Sequence, residues 1–146
     1  MIEYRGTVKQ VIYPQAAALP FRYINEGLEI LLITSRKGKR WIIPKGLLEE
    51  GLSPVELAAK EAWEEAGISG NISMQSLGEY EYEKWNGVCR VNVYSLCVLN
   101  VLDSWPEDSF RFRKWFPADE AVGLVEHEGL KRILAHFSHI YHKSTV

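Results

Sequence analysis

The sequence predicts an α/β sandwich: a β-rich chain with two helical regions. Short apolar runs of strand-forming residues recur between turn signals, as in "AAALPF", "LEILLIT" and "CRVNVYSLCVLNV". The segment "SPVELAAKEAWEEAG" carries a helix start signal at one end and a stop signal at the other. Toward the C-terminal end, Leu130, Ile133, Leu134 and Phe137 recur at helical spacing. The 146 residues are 47% hydrophobic and 25% charged and contain no repeat, low-complexity tract or Pro/Gly/Ser-rich linker. One domain over residues 1–146 is therefore expected.

Taken in order, "AAALPF" and "LEILLIT" read as a hairpin around the turn-like "RYINEG", and "KRWIIP" as a further short strand. A loop, "KGLLEEGL", leads into the first helix. Ser53 is its N-cap, Pro54 takes the first helical position, and Glu56 completes a capping box. Gly67 stands where a left-handed C-cap residue ends a helix. "GEYEYEKW" and "CRVNVYSLCVLNV" form a second hairpin through Asn86-Gly87. "FRFRKWF" is a last strand, and "PADEAVGLVEHEGLKRILAHFSHIY" supplies one or two helices.

Composition removes several function classes. No apolar run approaches the ~18 residues of a membrane span, and no basic segment followed by an apolar stretch opens the chain. A soluble, cytoplasmic protein with no membrane partner is expected. Cys89 and Cys97, if on one strand, lie beyond disulfide reach, which suits a reducing compartment. The formal charge of −2 gives no bulk attraction to nucleic acid, which is not an expected partner. Association with a second copy stays open.

Glu61, Glu64 and Glu65 crowd one end of the first helix, two of them in its last turn, where the helix dipole disfavours acids. Lys60 cannot balance all three, whereas a hard divalent cation with oxygen ligands would. Between Arg36 and Lys45 stand five cations, Arg36, Lys37, Lys39, Arg40 and Lys45, with no acid among them. This strip leads straight into the carboxylate loop, an arrangement that suits a polyphosphate beside bound cations.

Gly46, Glu61, Ala62, Glu64, Glu65, Gly67 and Ile68 resemble the Nudix box, G-x5-E-x7-R-E-U-x-E-E-x-G-U with U aliphatic. The first Glu of the pattern is Leu52 here and its Arg is Lys60, so the pair that braces the loop in that family is repacked while the ligand carboxylates stand. "LLITSRKGKRWIIPKG" and "NVLDSWPEDSFRFRKWFPADEA" extend the similarity to the diphosphoinositol polyphosphate phosphohydrolase branch, over roughly Gln15 to Lys131.

The resemblance implies a Nudix-type α/β/α sandwich with a mixed β-sheet. It implies Mg²⁺, with Mn²⁺ as the alternative, on Glu61, Glu64, Glu65 and a main-chain carbonyl at Lys45 or Gly46. Glu64 would be the catalytic base or water-positioning group. The substrate would be a small molecule containing a phosphoanhydride, of diphosphoinositol polyphosphate or dinucleoside polyphosphate type. Thr34, Ser35 and Arg36 match phosphate-binding positions of that branch, Arg90, Arg113 and Lys131 fall at or near others, and Arg40 and Lys45 join them from the basic strip. The branch's basic residues before "AA" are Tyr13, Pro14 and Gln15 here, so a highly anionic substrate meets fewer cations.

The rival readings are an RNA 5′-end pyrophosphohydrolase, which should carry a broader basic surface, and a catalytically weakened binding module, against which the intact carboxylate trio stands. Tyr80, Tyr82 and Trp85 are candidates for stacking on a nucleobase, though core or strand-surface roles are the commoner fate of such residues. His127, His136, His139 and His142 are expected at the surface of the C-terminal helical region. No G-x-S-x-G element or P-loop occurs, which excludes nucleophilic-serine and kinase chemistry.

Overall fold

A computed structural model describes residues 1–25 and 27–144, without the side chains of 142–144. Glu26, in the predicted "RYINEG" turn, and the side chain of His142 lie outside the described residues. The strands are β1 (Ile2–Arg5), β2 (Val8–Ile24), β3 (Gly27–Thr34), β4 (Trp41–Ile42), β5 (Lys45–Leu47), β6 (Ile68–Lys84), β7 (Gly87–Val101) and β8 (Arg113–Pro117). The helices are α1 (Pro54–Glu61), continued by a π-helical turn at Ala62–Ala66, then α2 (Ala118–Leu124) and α3 (Glu128–Ser144).

The sheet runs β4-β3-β2-β7-β6, with β8 on β3 and both β1 and β5 on β2. Strand β2 pairs parallel with β7 from Ile12 to Phe21, while its pairings with β1, β3 and β5 are antiparallel, so the sheet is mixed as expected. The run "AAAL" is buried on both faces, as a central strand requires. Ala17 and Leu19 face one core, with Leu130, Leu134 and Phe137 of α3. Ala16 and Ala18 face the other, where their small side chains leave room for Leu57, Ala58 and Ala62. Helices thus cover both faces of the sheet, an α/β/α sandwich.

The capping box forms as predicted: Ser53 Oγ accepts from the Glu56 N–H and Glu56 Oε1 from the Ser53 N–H. Gly67 is left-handed at φ 65°. Other boundaries shift. Strand β6 begins directly at Ile68, ten residues before "GEYEYEKW", because β7 pairs with it from Val101 onward. "FRFRKWF" is a strand only from Arg113, since Arg111 and Phe112 are drawn to Thr34 by other hydrogen bonds. The second hairpin turns at Trp85 and Asn86, at φ 53° and 54°, one residue earlier than Asn86-Gly87. Gly87 begins β7 and is needed for close approach: a Cβ there would lie 2.5 Å from the Val11 carbonyl oxygen.

Candidate active site

The π-turn follows α1 without a break and carries Glu64 and Glu65, while Glu61 closes the α-helix before it. Glu61 and Glu65 are buried and share a hydrogen bond. Burial raises both carboxyls above their ordinary value, and in Glu65 the bond to Glu61 adds to the rise while Arg111 opposes it; Glu65 reaches about 9. Burial thus favours the protonated form of both carboxyls in the free protein. Lys45 donates its backbone N–H to Glu65 Oε1 at 3.3 Å. Its ammonium is pushed down to about 8 by burial, with Glu65 pulling the other way.

Glu64 turns toward Lys60 Nζ, 3.7 Å away, and Lys60 also reaches Glu49 at 2.9 Å. Glu49 and Lys60 make the brace that Leu52 cannot, since Leu52 instead packs against the apolar core under α1. Burial, which favours protonation of the Glu61–Glu65 pair, and the Lys60 ammonium beside Glu64 both lessen the like-charge repulsion of the cluster.

The carboxylates are fit to hold a hard divalent cation. The pair offers carboxyl oxygens whose charged form a cation would favour against the effect of burial. At Gly46 a Cβ would overlap Glu61 Oε1 where it stands, so the Lys45–Gly46 main chain lies directly against this carboxylate. Among the described residues no three His, Cys, Asp or Glu side chains converge as a ready-made cage. The acidic groups that could hold such a cation are the Glu61–Glu65 pair, with Glu64 beside it.

These acids line a cleft of ≈ 1070 Å³ together with Ser35, Arg36, Lys37, Lys39, Arg40 and Lys45. The cations at 36–40 are exposed on the β3–β4 loop, which Ser35 organises by accepting the Arg40 N–H on its hydroxyl. Arg40 bridges to Glu126 at 3.2 Å. The cleft therefore joins an acidic and a basic region that are far apart in sequence.

Thr34, Arg90, Arg113 and Lys131 do not line it. Thr34 is buried, and its hydroxyl accepts the Phe112 N–H. Arg90 is pinned by Glu3 and Glu81, which stabilise its charge. Arg113 donates to the Ala66 and Gly67 carbonyls, and Lys131 to the Val122 carbonyl. These groups are committed to the fold.

Tyr80 and Tyr82 take the core and strand-surface places expected of most of the aromatics. Tyr80 is buried, and Tyr82 carries His127 stacked on it at 4.6 Å and the Lys45 ammonium 5.4 Å from its ring centroid. Trp85, half exposed on the cleft, carries Lys84 Nζ 4.5 Å from its ring centroid and Tyr13 packed edge-on at 5.2 Å. His127 is not a surface residue but a half-buried part of the cleft, its pKa lowered by burial, whereas His136 and His139 are exposed.

Sequence reasoning missed Arg111. Its buried guanidinium reaches the Thr34 carbonyl at 2.9 Å, Glu107 at 2.8 Å and Glu65 at 3.9 Å. No local pattern marks it, because its partner Glu65 lies on another element.

Comparison with known proteins identifies the family. The NUDIX domain family matches residues 14–137. Nudix hydrolase 16, mitochondrial, of Arabidopsis thaliana is 35% identical, covering 88% of this chain and 81% of its own length. Diphosphoinositol polyphosphate phosphohydrolase 3-beta of Bos taurus is 36% identical, covering 77% of this chain and 68% of its own. The Ap4A hydrolase of C. elegans shares the fold at a TM-score of 0.69 and 20% identity, over 90% of this chain and 99% of its own. The chain belongs to the NUDIX domain family and is a Nudix-type pyrophosphohydrolase.

Proposed function

We propose that the cleft hydrolyses a phosphoanhydride bond in a small molecule carrying a chain of phosphates, of diphosphoinositol polyphosphate or dinucleoside polyphosphate type, and does so with Mg²⁺ or Mn²⁺. One observation carries this: the buried Glu61–Glu65 pair and the basic residues Arg36, Lys37, Lys39 and Arg40 line the same cleft. Two similar proteins are named for such substrates, a diphosphoinositol polyphosphate and Ap4A.

Glu61 and Glu65, with a carbonyl of Lys45 or Gly46, would hold the cation, which when bound neutralises phosphate oxygens beside the attacked phosphorus. Glu64 would orient the attacking water and accept its proton, for which its carboxylate must leave Lys60. Arg36, Arg40 and Lys45 would hold the remaining phosphates, Arg40 exchanging Glu126 for a phosphate oxygen. Trp85 would offer a stacking surface to the nucleoside of a dinucleoside polyphosphate once Lys84 moves off its ring, a contact an inositol phosphate would not use.

The test is a screen of dinucleoside polyphosphates, inositol pyrophosphates, sugar nucleotides, nucleoside triphosphates and 5′-triphosphorylated RNA, with Mg²⁺ and with EDTA. Divalent-dependent turnover of a phosphate-chain substrate is expected. Trp85→Ala should raise KM for the dinucleoside compounds only. No divalent-dependent hydrolysis of any compound, or turnover of the RNA alone, would overturn the proposal.

A further inference from the structure

We infer that the segment Leu102–Arg113 is a clasp that holds the carboxylate-bearing π-turn in place, with Trp105 and Arg113 as positioning residues for Glu64 and Glu65. A helix end leaves its last carbonyls without partners inside the helix. Here four consecutive carbonyls, those of residues 64 to 67, each accept a hydrogen bond from this one segment. The Glu107 N–H donates to the Glu64 carbonyl at 3.1 Å and the Leu102 N–H to the Gly67 carbonyl at 2.8 Å. The Trp105 indole N–H donates to the Glu65 carbonyl at 3.0 Å. Arg113 Nη1 donates to the Ala66 carbonyl at 2.8 Å and to the Gly67 carbonyl at 3.3 Å.

The clasp is tied to itself and to the sheet. The Arg113 guanidinium lies 3.9 Å from the Trp105 ring centroid and also donates to the Leu102 carbonyl. Arg111 links Glu107 to the Thr34 carbonyl at the end of β3. Contact with the turn is as close as backbone allows: a Cβ on Gly67 would fall 2.7 Å from Arg113 Nη1 and 2.8 Å from Trp105 Cβ. Gly67 is therefore required twice, for its positive φ and for the seat of the clasp.

The consequence for the carboxylates follows from helix geometry. A π-turn carries one extra residue relative to an α-turn, so relaxing it to α swings the side chains that follow by up to about 100° around the axis. Glu64 and Glu65 sit within that turn. Donors on the carbonyls of these two residues and of the next two fix which way their side chains point. Only the link to catalysis rests on the proposed function, since the clasp itself is a matter of hydrogen bonds.

Trp105→Phe tests this, because it keeps an aromatic ring under Arg113 while removing the donor to Glu65. Three measurements apply to the full chain: amide hydrogen exchange of residues 62–68 without metal, Mn²⁺ affinity by electron paramagnetic resonance, and kcat and KM on a substrate found in the screen. Exchange in the turn should accelerate about tenfold, Mn²⁺ affinity and kcat should each fall about tenfold, and KM should move less than about twofold, as for a lost donor to a buried carbonyl. Leu130→Val, in the core under α3, should change melting temperature without moving the other readouts.

Unchanged exchange in Trp105→Phe, or faster exchange with unchanged Mn²⁺ affinity and kcat, overturns the inference. Arg113→Lys, which keeps the charge and loses the fork, should follow Trp105→Phe; a rise in KM alone with unchanged exchange would make Arg113 a substrate ligand and overturn its assignment here. A wild-type chain that neither binds Mn²⁺ nor hydrolyses any phosphoanhydride overturns the proposed function instead, and hydrogen exchange alone then decides whether the clasp holds the turn.

Discussion

Glu65 has the environment least like water among the acids of the site: buried, bonded to another carboxyl and faced by a buried arginine. Its folded pKa of about 9 lies above the ordinary carboxylate value of 4.5, so between these limits the folded state binds more protons than the unfolded one. Stability then falls as pH rises. Lys45, lowered to about 8, has the opposite effect above that pH, because there the unfolded chain holds the extra proton. His127, lowered by burial below its ordinary 6.5, opposes the decline near that value in the same way, so the Glu65 contribution is read across pH 5 to 8 as the difference between wild type and a Glu65→Gln variant. In EDTA the melting temperature of the wild type should decline across this range relative to that of the variant; equal slopes would mean that burial does not hold Glu65 protonated. With Mg²⁺ the same substitution should lower kcat by at least about two decades, as expected for loss of one positioned charged group, while the chain still folds.

At the scale of elements, α1 is specified by its own ends. Both reciprocal bonds of the Ser53–Glu56 box are present, and the left-handed Gly67 stops the π-turn. Ser53→Ala should cost about 1 kcal/mol, or about 3 °C in melting temperature for a chain of this size. Because the cap lies at the opposite end of the helix from Glu61, kcat should stay within about twofold; a calorimetric scan and a turnover assay check both halves. The second hairpin was legible as an element but not in its details. Asn-Gly marked a turn, yet the turn falls on Trp85 and Asn86, with Trp85 in a conformation that bulky residues avoid. What overrides local preference there is the packing of Gly87 against Val11 and Tyr13 of β2, a contact absent from any local pattern.

For the whole molecule, a net charge of −2 conceals a strongly divided cleft. In the free protein Arg40 is paired with Glu126, and Arg36 lies 5.0 Å from the Phe110 ring centroid. If these cations face the phosphate chain, affinity should grow with the number of phosphates and fall with salt, since exposed charges are screened over about 8 to 10 Å at physiological ionic strength. Arg36→Ala should then raise KM for a chain of four or five phosphates more than for a diphosphate, because a lysine cannot replace the guanidinium fork. Steady-state kinetics at two salt concentrations measure this, and equal KM shifts across the series would place Arg36 outside the phosphate path.

The sequence by itself determined what depends on near neighbours in the chain. The capping box, the C-cap glycine, the apolar stripe of α3 and the spacing of Glu61, Glu64 and Glu65 are set within one or two turns of backbone, so their residues carry the signal directly. Tertiary structure alone decided how those pieces meet. It buried Glu61 against Glu65, brought the β3–β4 loop into the same cleft, and spent Thr34, Arg90 and Arg113 on hydrogen bonds and ion pairs within the fold. It also set Arg111, 46 positions along the chain from Glu65, beside that carboxylate. Such pairings form between elements that fold together, and a cation's fate depends on which anion or carbonyl reaches it first, which spacing along the chain does not encode.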